Sequence, residues 1–219
     1  MKIACLGGGP AGLYFAILIK KARPDWAVTV LERNRADDTF GWGVVLSDQT
    51  MAGFQVADPE THGEIMQAFR HWDRIDIFFK GRQISSSGHG FSGIARRRLL
   101  NILQRRALAL GVELRFGVEV RDPADYAATH DLVVAADGVN SVTRQRYAAI
   151  FNPRCEERKC RFLWLGTERK LDAFTFDFQQ TEAGWFNLHA YRFDESMSTV
   201  IVETPETVWR QAGIDRMTP

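Results

Sequence analysis

The sequence predicts an α/β protein in two regions, a βαβ unit at the N-terminus and a mostly antiparallel β-sheet toward the C-terminus. Three observations predict it. Residues 2–6 form a short apolar run ending in glycines, followed by a helical pattern and a second β-branched run, all within about thirty residues, the size of one βαβ unit. Near Cys160 the apolar period changes from helical to alternating. Finally, 45% hydrophobic and 25% charged residues are the proportions of a chain that folds around a core rather than staying disordered.

Each element follows in order. After the strand at 2–6, apolar residues at 11–22 wrap a helix, with Lys20 and Lys21 favourable at its C-terminal end. Residues 27–32 are the second strand. Residues 75–79 and 82–84 predict a hairpin around Gly81. Residues 98–110 predict a helix closed by Gly111. Residues 112–120 alternate as a strand, and 131–136 form a continuous apolar strand of the kind buried on both faces of a parallel sheet. Residues 161–167, 174–180, 185–193 and 198–203 predict four strands with short connections, an antiparallel meander that the 75–84 hairpin is expected to join. The expected division is 1–72 with 96–155 for the first domain and 73–95 with 156–204 for the sheet, while 205–219 begins a further segment with a helical start at 205–212. From the residues alone, 40–48 reads as a loop with a buried tryptophan.

Charge and cysteine content exclude several classes. The chain of 219 residues carries 28 basic and 27 acidic side chains, a formal charge of +1, without the basic excess of a nucleic-acid binder. Three cysteines make no disulfide framework, and Cys155 and Cys160 lack a second ligand pair for zinc, so no metal site is expected. The apolar stretch at 3–19 is broken by glycines and proline, and no other reaches the roughly 18 apolar residues of a membrane span. A cytoplasmic protein without membrane or nucleic-acid partners is the expectation.

The strongest motif is Gly7-Gly8-Gly9-Pro10-Ala11-Gly12, a G-x-G-x-x-G between strand and helix. Gly7 permits the tight turn, Gly9 lets the backbone approach a pyrophosphate, and Gly12 permits close packing of helix on strand. The helix start at Pro10 and Ala11 supplies N–H donors and a positive dipole end. Glu32, twenty residues after Gly12 and followed by Arg33, ends the second strand where a carboxylate can accept from ribose hydroxyls. This is a Rossmann-like fingerprint for a dinucleotide. It does not separate NAD from FAD, so a nicotinamide-only dehydrogenase remains an alternative at this point.

Asp137-Gly138-Val139-Asn140-Ser141-Val142-Thr143-Arg144, directly after the apolar strand, resembles the second fingerprint of the flavoprotein aromatic hydroxylases, the para-hydroxybenzoate hydroxylase-like monooxygenases. In that family the motif lies near the flavin pyrophosphate and is linked to use of the nicotinamide reductant, which implies cofactor roles for Asp137 and Gly138. Arg96, three residues before Leu99, matches a family arginine that contacts the cofactor, a role suited to a guanidinium. The segments 40–48 and 162–167 are similar to the subgroup that hydroxylates salicylyl-CoA, 2-aminobenzoyl-CoA and tryptophan-derived pigment precursors. There Gly41 and Gly43 would let the backbone pass close to the isoalloxazine ring, which places Gly43 in the cofactor set.

The resemblance implies FAD as cofactor, NADH or NADPH as reductant, and a small aromatic substrate, with salicylyl-CoA hydroxylated at position 5 first and a 2-aminobenzoyl-CoA or a tryptophan-derived substrate as the alternative. It implies no catalytic side chain: reduced flavin captures oxygen as a hydroperoxide, and the protein positions, excludes water and tunes. The family's second-domain sheet covers the flavin and holds the substrate, so Trp185, His189 and Tyr191, which share one strand face, become pocket candidates, against ordinary core packing as the alternative. The family also has a later Gly-Asp cofactor motif that nothing in 205–219 matches. A C-terminal part of the family fold is therefore expected to be missing, and a truncated, non-catalytic fragment is the alternative from another class.

Overall fold

The structure is a computed structural model and describes residues 1–217. The chain runs through β1 (Lys2–Leu6), α1 (Pro10–Ala22), β2 (Ala27–Glu32), β3 (Gly43–Ser47), α2 (Asp48–Ala57), α3 (Pro59–Met66), β4 (Arg70–Trp72), β5 (Ile75–Phe79), β6 (Arg82–Ser86), β7 (Phe91–Ala95) and α4 (Arg96–Ala109). It continues through β8 (Glu113–Phe116), α5 (Ala124–Ala127), β9 (Leu132–Ala135), α6 (Val142–Arg146), α7 (Ala148–Phe151), β10 (Cys160–Thr167), β11 (Phe174–Thr181), β12 (Gly184–Arg192), β13 (Ser198–Pro205) and α8 (Glu206–Gln211). No described helix is long and apolar enough to cross a membrane. The expected segment from residue 205 is helical at 206–211, and Thr218 and Pro219 lie outside the described residues.

Two compact units divide the chain. The first comprises Met1–Thr39, Phe54–Ile65 and Arg97–Cys155; the second comprises Phe40–Gly53, Met66–Arg96 and the chain from Glu156 onward. Segments 40–53 and 66–72, grouped with the first region on sequence, thus fall in the second unit.

The first unit is built on a parallel sheet of order β8-β2-β1-β9. Ile3, Cys5, Leu13, Ala16 and Ile17 are fully buried, so α1 forms because its apolar stripe has strand side chains to cover. Ala4, Leu6 and Leu31 form a second cluster with Val118, Val120, Tyr126 and Val133. Two sequence expectations are corrected here. β9 is an edge strand, with Leu132 42% exposed, rather than a strand buried on both faces. The 112–120 strand stops at Phe116, because Gly117 turns the chain at φ +73°.

Asp58 ties the helices of this unit together. It precedes Pro59 at the start of α3, is fully buried, and accepts from Thr61 Oγ1 (2.5 Å), Lys21 Nζ (2.7 Å) and Arg106 Nη2 (2.8 Å) and Nε (3.0 Å). Burial raises the Asp58 pKa, but hydrogen bonds from Arg106, Lys21 and Thr61 and the charge of Arg106 outweigh it and hold the carboxyl well below its usual range.

The second unit has a six-stranded sheet of order β10-β13-β12-β11-β5-β6 and a three-stranded one of order β3-β7-β4. The 75–86 hairpin joins the later strands as expected, through a parallel pairing of β5 with β11. The four later strands are not a sequential meander: β5 occupies the free edge of β11, and β10 pairs with β13 instead. The segment read as a loop carries β3, and Trp42 is 44% exposed rather than buried.

Candidate functional site

The glycine motif sits at the C-terminal end of β1. Gly7 adopts φ +113°, donates its N–H to Leu31 O (2.8 Å), and has no room for a Cβ, which would lie 2.2 Å from Ala136 O. A Cβ on Gly12 would lie 2.0 Å from Gly7 O, so α1 packs directly on the turn. Gly9 caps α1 without a side-chain hydrogen bond, Pro10 opens the helix, and nothing approaches within 4 Å of where a Gly9 Cβ would stand. The open space at Gly9, the exposure of Ala11, the uncapped helix start and the absence of an acidic first-turn residue fit an anionic pyrophosphate.

Glu32 closes one side of this cradle. Its Oε2 accepts from Gly8 N (2.8 Å), and its Oε1 accepts from Asn34 N (2.9 Å) and Asn34 Nδ2 (2.7 Å). Oε1 thus has both lone pairs engaged by Asn34, while Oε2 keeps one for a ribose hydroxyl. Asn34 was not anticipated from sequence; its signal is only its place two residues beyond a strand-ending glutamate. Arg33 is exposed.

The second motif meets the first. A Gly7 Cβ would stand 3.1 Å from Asp137 Cα, so residues 130 apart in sequence form one rim at the ends of adjacent parallel strands. β1 lies between β2 and β9, where the strand order reverses, the position at which open α/β sheets bind ligands. Asp137 Oδ1 accepts from Ser141 Oγ (2.6 Å) and Oδ2 from Thr143 N and Oγ1 (both 3.1 Å), while Ser141 Oγ caps α6 by accepting from Arg144 N (2.9 Å). Burial raises the Asp137 pKa, yet these bonds outweigh it and lower it. Asp137 therefore fixes the turn that Gly138 makes at φ +85°.

In the second unit, Arg96 donates from Nη1 to Phe40 O (3.0 Å) and from its backbone N–H to Trp42 O (2.8 Å). It holds the 40–42 segment. Gly43 is enclosed: its N–H donates to Thr199 Oγ1 (2.9 Å), its carbonyl accepts from Tyr191 Oη (2.8 Å), and a Cβ would stand 2.5 Å from Phe193. The close approaches permitted at Gly41 and Gly166 are to Trp164 and Trp42 respectively. The glycines and tryptophans of the two segments thus interlock in reciprocal pairs.

The three pocket candidates separate. Tyr191 is 4% exposed, stacks on Phe174 (5.3 Å, 11°), and is pushed up to about 12 by burial, which places it in the core. His189 is half-buried against Phe174 and Phe176, and burial lowers its pKa while Glu203 opposes that shift. Trp185 is exposed at the sheet end and stacks on Phe79. Between Trp185 and His189 on the same face, Asn187 Oδ1 is buried without a hydrogen-bond partner.

Fold and site together define an α/β protein with a Rossmann-like glycine turn in one unit and an antiparallel-rich sheet in the other. The chain is similar in sequence to a curated hydroxylase and a curated monooxygenase, and in fold to a solved monooxygenase structure. It is 46% identical to a salicyloyl-CoA 5-hydroxylase from Streptomyces sp. over 219 residues, all of this chain and 42% of that protein. It is 31% identical to protodeoxyviolaceinate monooxygenase of Chromobacterium violaceum over 99% of this chain and 58% of that protein. Among solved structures, a probable FAD-dependent monooxygenase from Pseudomonas aeruginosa superposes with a TM-score of 0.73 at 16% identity, covering 98% of this chain and 62% of that one. The chain spans about half the length of the curated relatives it matches. No protein-family model matches the chain.

Proposed function

We propose that this chain carries the FAD-binding and substrate-binding parts of a cytoplasmic monooxygenase that hydroxylates an electron-rich aromatic ring presented as a CoA thioester, salicylyl-CoA being the first candidate. The observation that carries the reading is the meeting of Gly7–Gly12, Glu32 and Asp137–Gly138 on one rim at the reversal point of the parallel sheet. Within this reading Gly9, Pro10, Ala11 and the α1 dipole face the pyrophosphate, Glu32 holds the adenosine ribose, and Gly138 shapes the second half of the rim. Bound FAD supplies the redox chemistry: one oxygen atom enters the ring, and the other leaves as water with two electrons from NADH or NADPH. His189, largely neutral near pH 7, and the aromatic strand face around it offer the substrate ring an apolar surface with one switchable donor or acceptor.

The test is an absorbance titration of the chain with FAD, followed by anaerobic reduction with NADH in the presence and absence of salicylyl-CoA. A bound flavin spectrum and faster reduction with the thioester are expected. Failure to bind FAD overturns the reading for this chain, and nicotinamide binding without flavin absorbance favours a dehydrogenase instead.

A further inference from the structure

The six-stranded sheet has a stepped end. β5 stops at Phe79, while its parallel neighbour β11 runs on to Thr181, and β12 begins beside it at Gly184. The step leaves a notch of about 340 Å³ whose walls include Phe79, Lys80, Phe178, Gln180 and Trp185. Its aromatic surface is open to solvent: Phe79 is 43% and Trp185 38% exposed, and the two rings stack at 5.7 Å and 19°. Phe178 meets Phe79 edge-on at 6.3 Å. Such a pair presents a rigid π-face to a further planar ring.

Two cations flank the aromatic surface. Lys80 Nζ stands 5.4 Å from the Phe79 ring centroid, placed there by a turn in which Lys80 has φ 49° and Gly81 φ 73°. Arg82, the cross-strand partner of Phe79, is exposed and makes no ion pair among the described residues. The acidic group in the wall, Asp177, already accepts from Gln179 Nε2 (2.6 Å). On β12, Trp185 and His189 are four residues apart on one face, about 13 Å, a span that an extended pantetheine arm covers.

From this arrangement we infer that the notch at Phe79, Lys80 and Trp185 binds the adenine nucleotide end of the CoA thioester, the base on the Trp185–Phe79 stack and the phosphates at Lys80 and Arg82. The inference rests on the thioester reading above and deepens it. It moves Trp185 from the ring pocket to the recognition of the substrate's tail, and leaves His189 at the ring end.

Calorimetric titration of the full chain with CoA, 3′-dephospho-CoA, pantetheine and NADPH tests it, with FAD affinity measured on the same samples. CoA is expected to bind saturably and more tightly than 3′-dephospho-CoA, more weakly as salt rises, and far more tightly than pantetheine. Trp185→Ala is expected to weaken CoA binding about tenfold, within the range of one base–aromatic stack. The double variant Lys80→Glu, Arg82→Glu should weaken it at least as much, and both variants should leave FAD affinity unchanged. Unchanged CoA affinity in both variants, CoA binding no tighter than pantetheine, or NADPH outcompeting CoA for the notch would each overturn the inference. Loss of FAD binding by the unaltered chain sinks the monooxygenase reading while the CoA titration still reports on the notch.

Discussion

Asp58 and Glu32 are two acids of the first unit with opposite duties. Asp58 has no exposure and three partner side chains, so its removal leaves Lys21 and Arg106 with only the largely exposed carboxylate of Glu60 as counter-charge. Asp58→Ala is expected to cost about 3 kcal/mol, the scale of breaking a buried ion pair from one side, measured by urea unfolding. Because the folded pKa lies below the unfolded one, this stabilisation is complete above the ordinary carboxylate value of about 4. It is lost as pH falls through the depressed folded value. Asp58→Asn should flatten that part of the acid limb.

Glu32→Ala is expected to weaken FAD binding by about 1–3 kcal/mol, as for a charged hydrogen bond, read by flavin fluorescence. Asn34→Ala should weaken it less and add little once Glu32 is gone, because Asn34 acts by orienting Glu32. The place of Glu32 beside the glycine turn is legible in sequence, since strand, glycines and acid stand at fixed spacing. That of Asn34 is not, because a side-chain bond two residues back leaves no periodic trace.

At the scale of elements, what could be read ahead depended on how much of the signal is local. β2 falls on the predicted residues because Ala27–Glu32 is an apolar run whose register alongside β1 buries it. The pairing of β10 with β13 could not be read, since any alternating strand satisfies the same pattern and the choice was made by β5 taking the edge of β11. β3, β4 and β7 escaped for another reason: three strands of three to five residues are too short for alternation to rise above a loop. The turn from β1 into α1 gives a prediction at this scale. Gly12→Ala places a Cβ 2.0 Å from Gly7 O, so helix and turn must separate. We expect loss of FAD binding together with a lower melting temperature, whereas Gly53→Ala, in open space on α2, should leave both unchanged.

For the molecule as a whole, each unit carries its own kind of legibility. The first declares itself through motifs, and Gly7 meeting Asp137 turns two separate motifs into one rim. The second declares only its strands; which residues of its aromatic face are core and which are available emerged from packing, with Tyr191 enclosed and Trp185 open. Acid should affect the second unit first. Burial lowers the His189 pKa against the opposing pull of Glu203, so its neutral form contributes stability above about pH 6.5, and that contribution is lost as pH falls further. A His189 imidazole resonance titrating below the free-histidine value in NMR would bear this out; one titrating above it would contradict the burial seen here.

The reciprocal fit of Gly41 under Trp164 and Trp42 over Gly166 has a consequence for inheritance. Neither segment can drift alone, because any side chain larger than hydrogen at either glycine strikes an indole contributed by the other segment. A chimera that imports residues 40–43 from a relative lacking one member of these pairs should fold poorly, and recover when 162–166 is imported with it. The two stretches, more than a hundred residues apart, are in effect a single heritable unit.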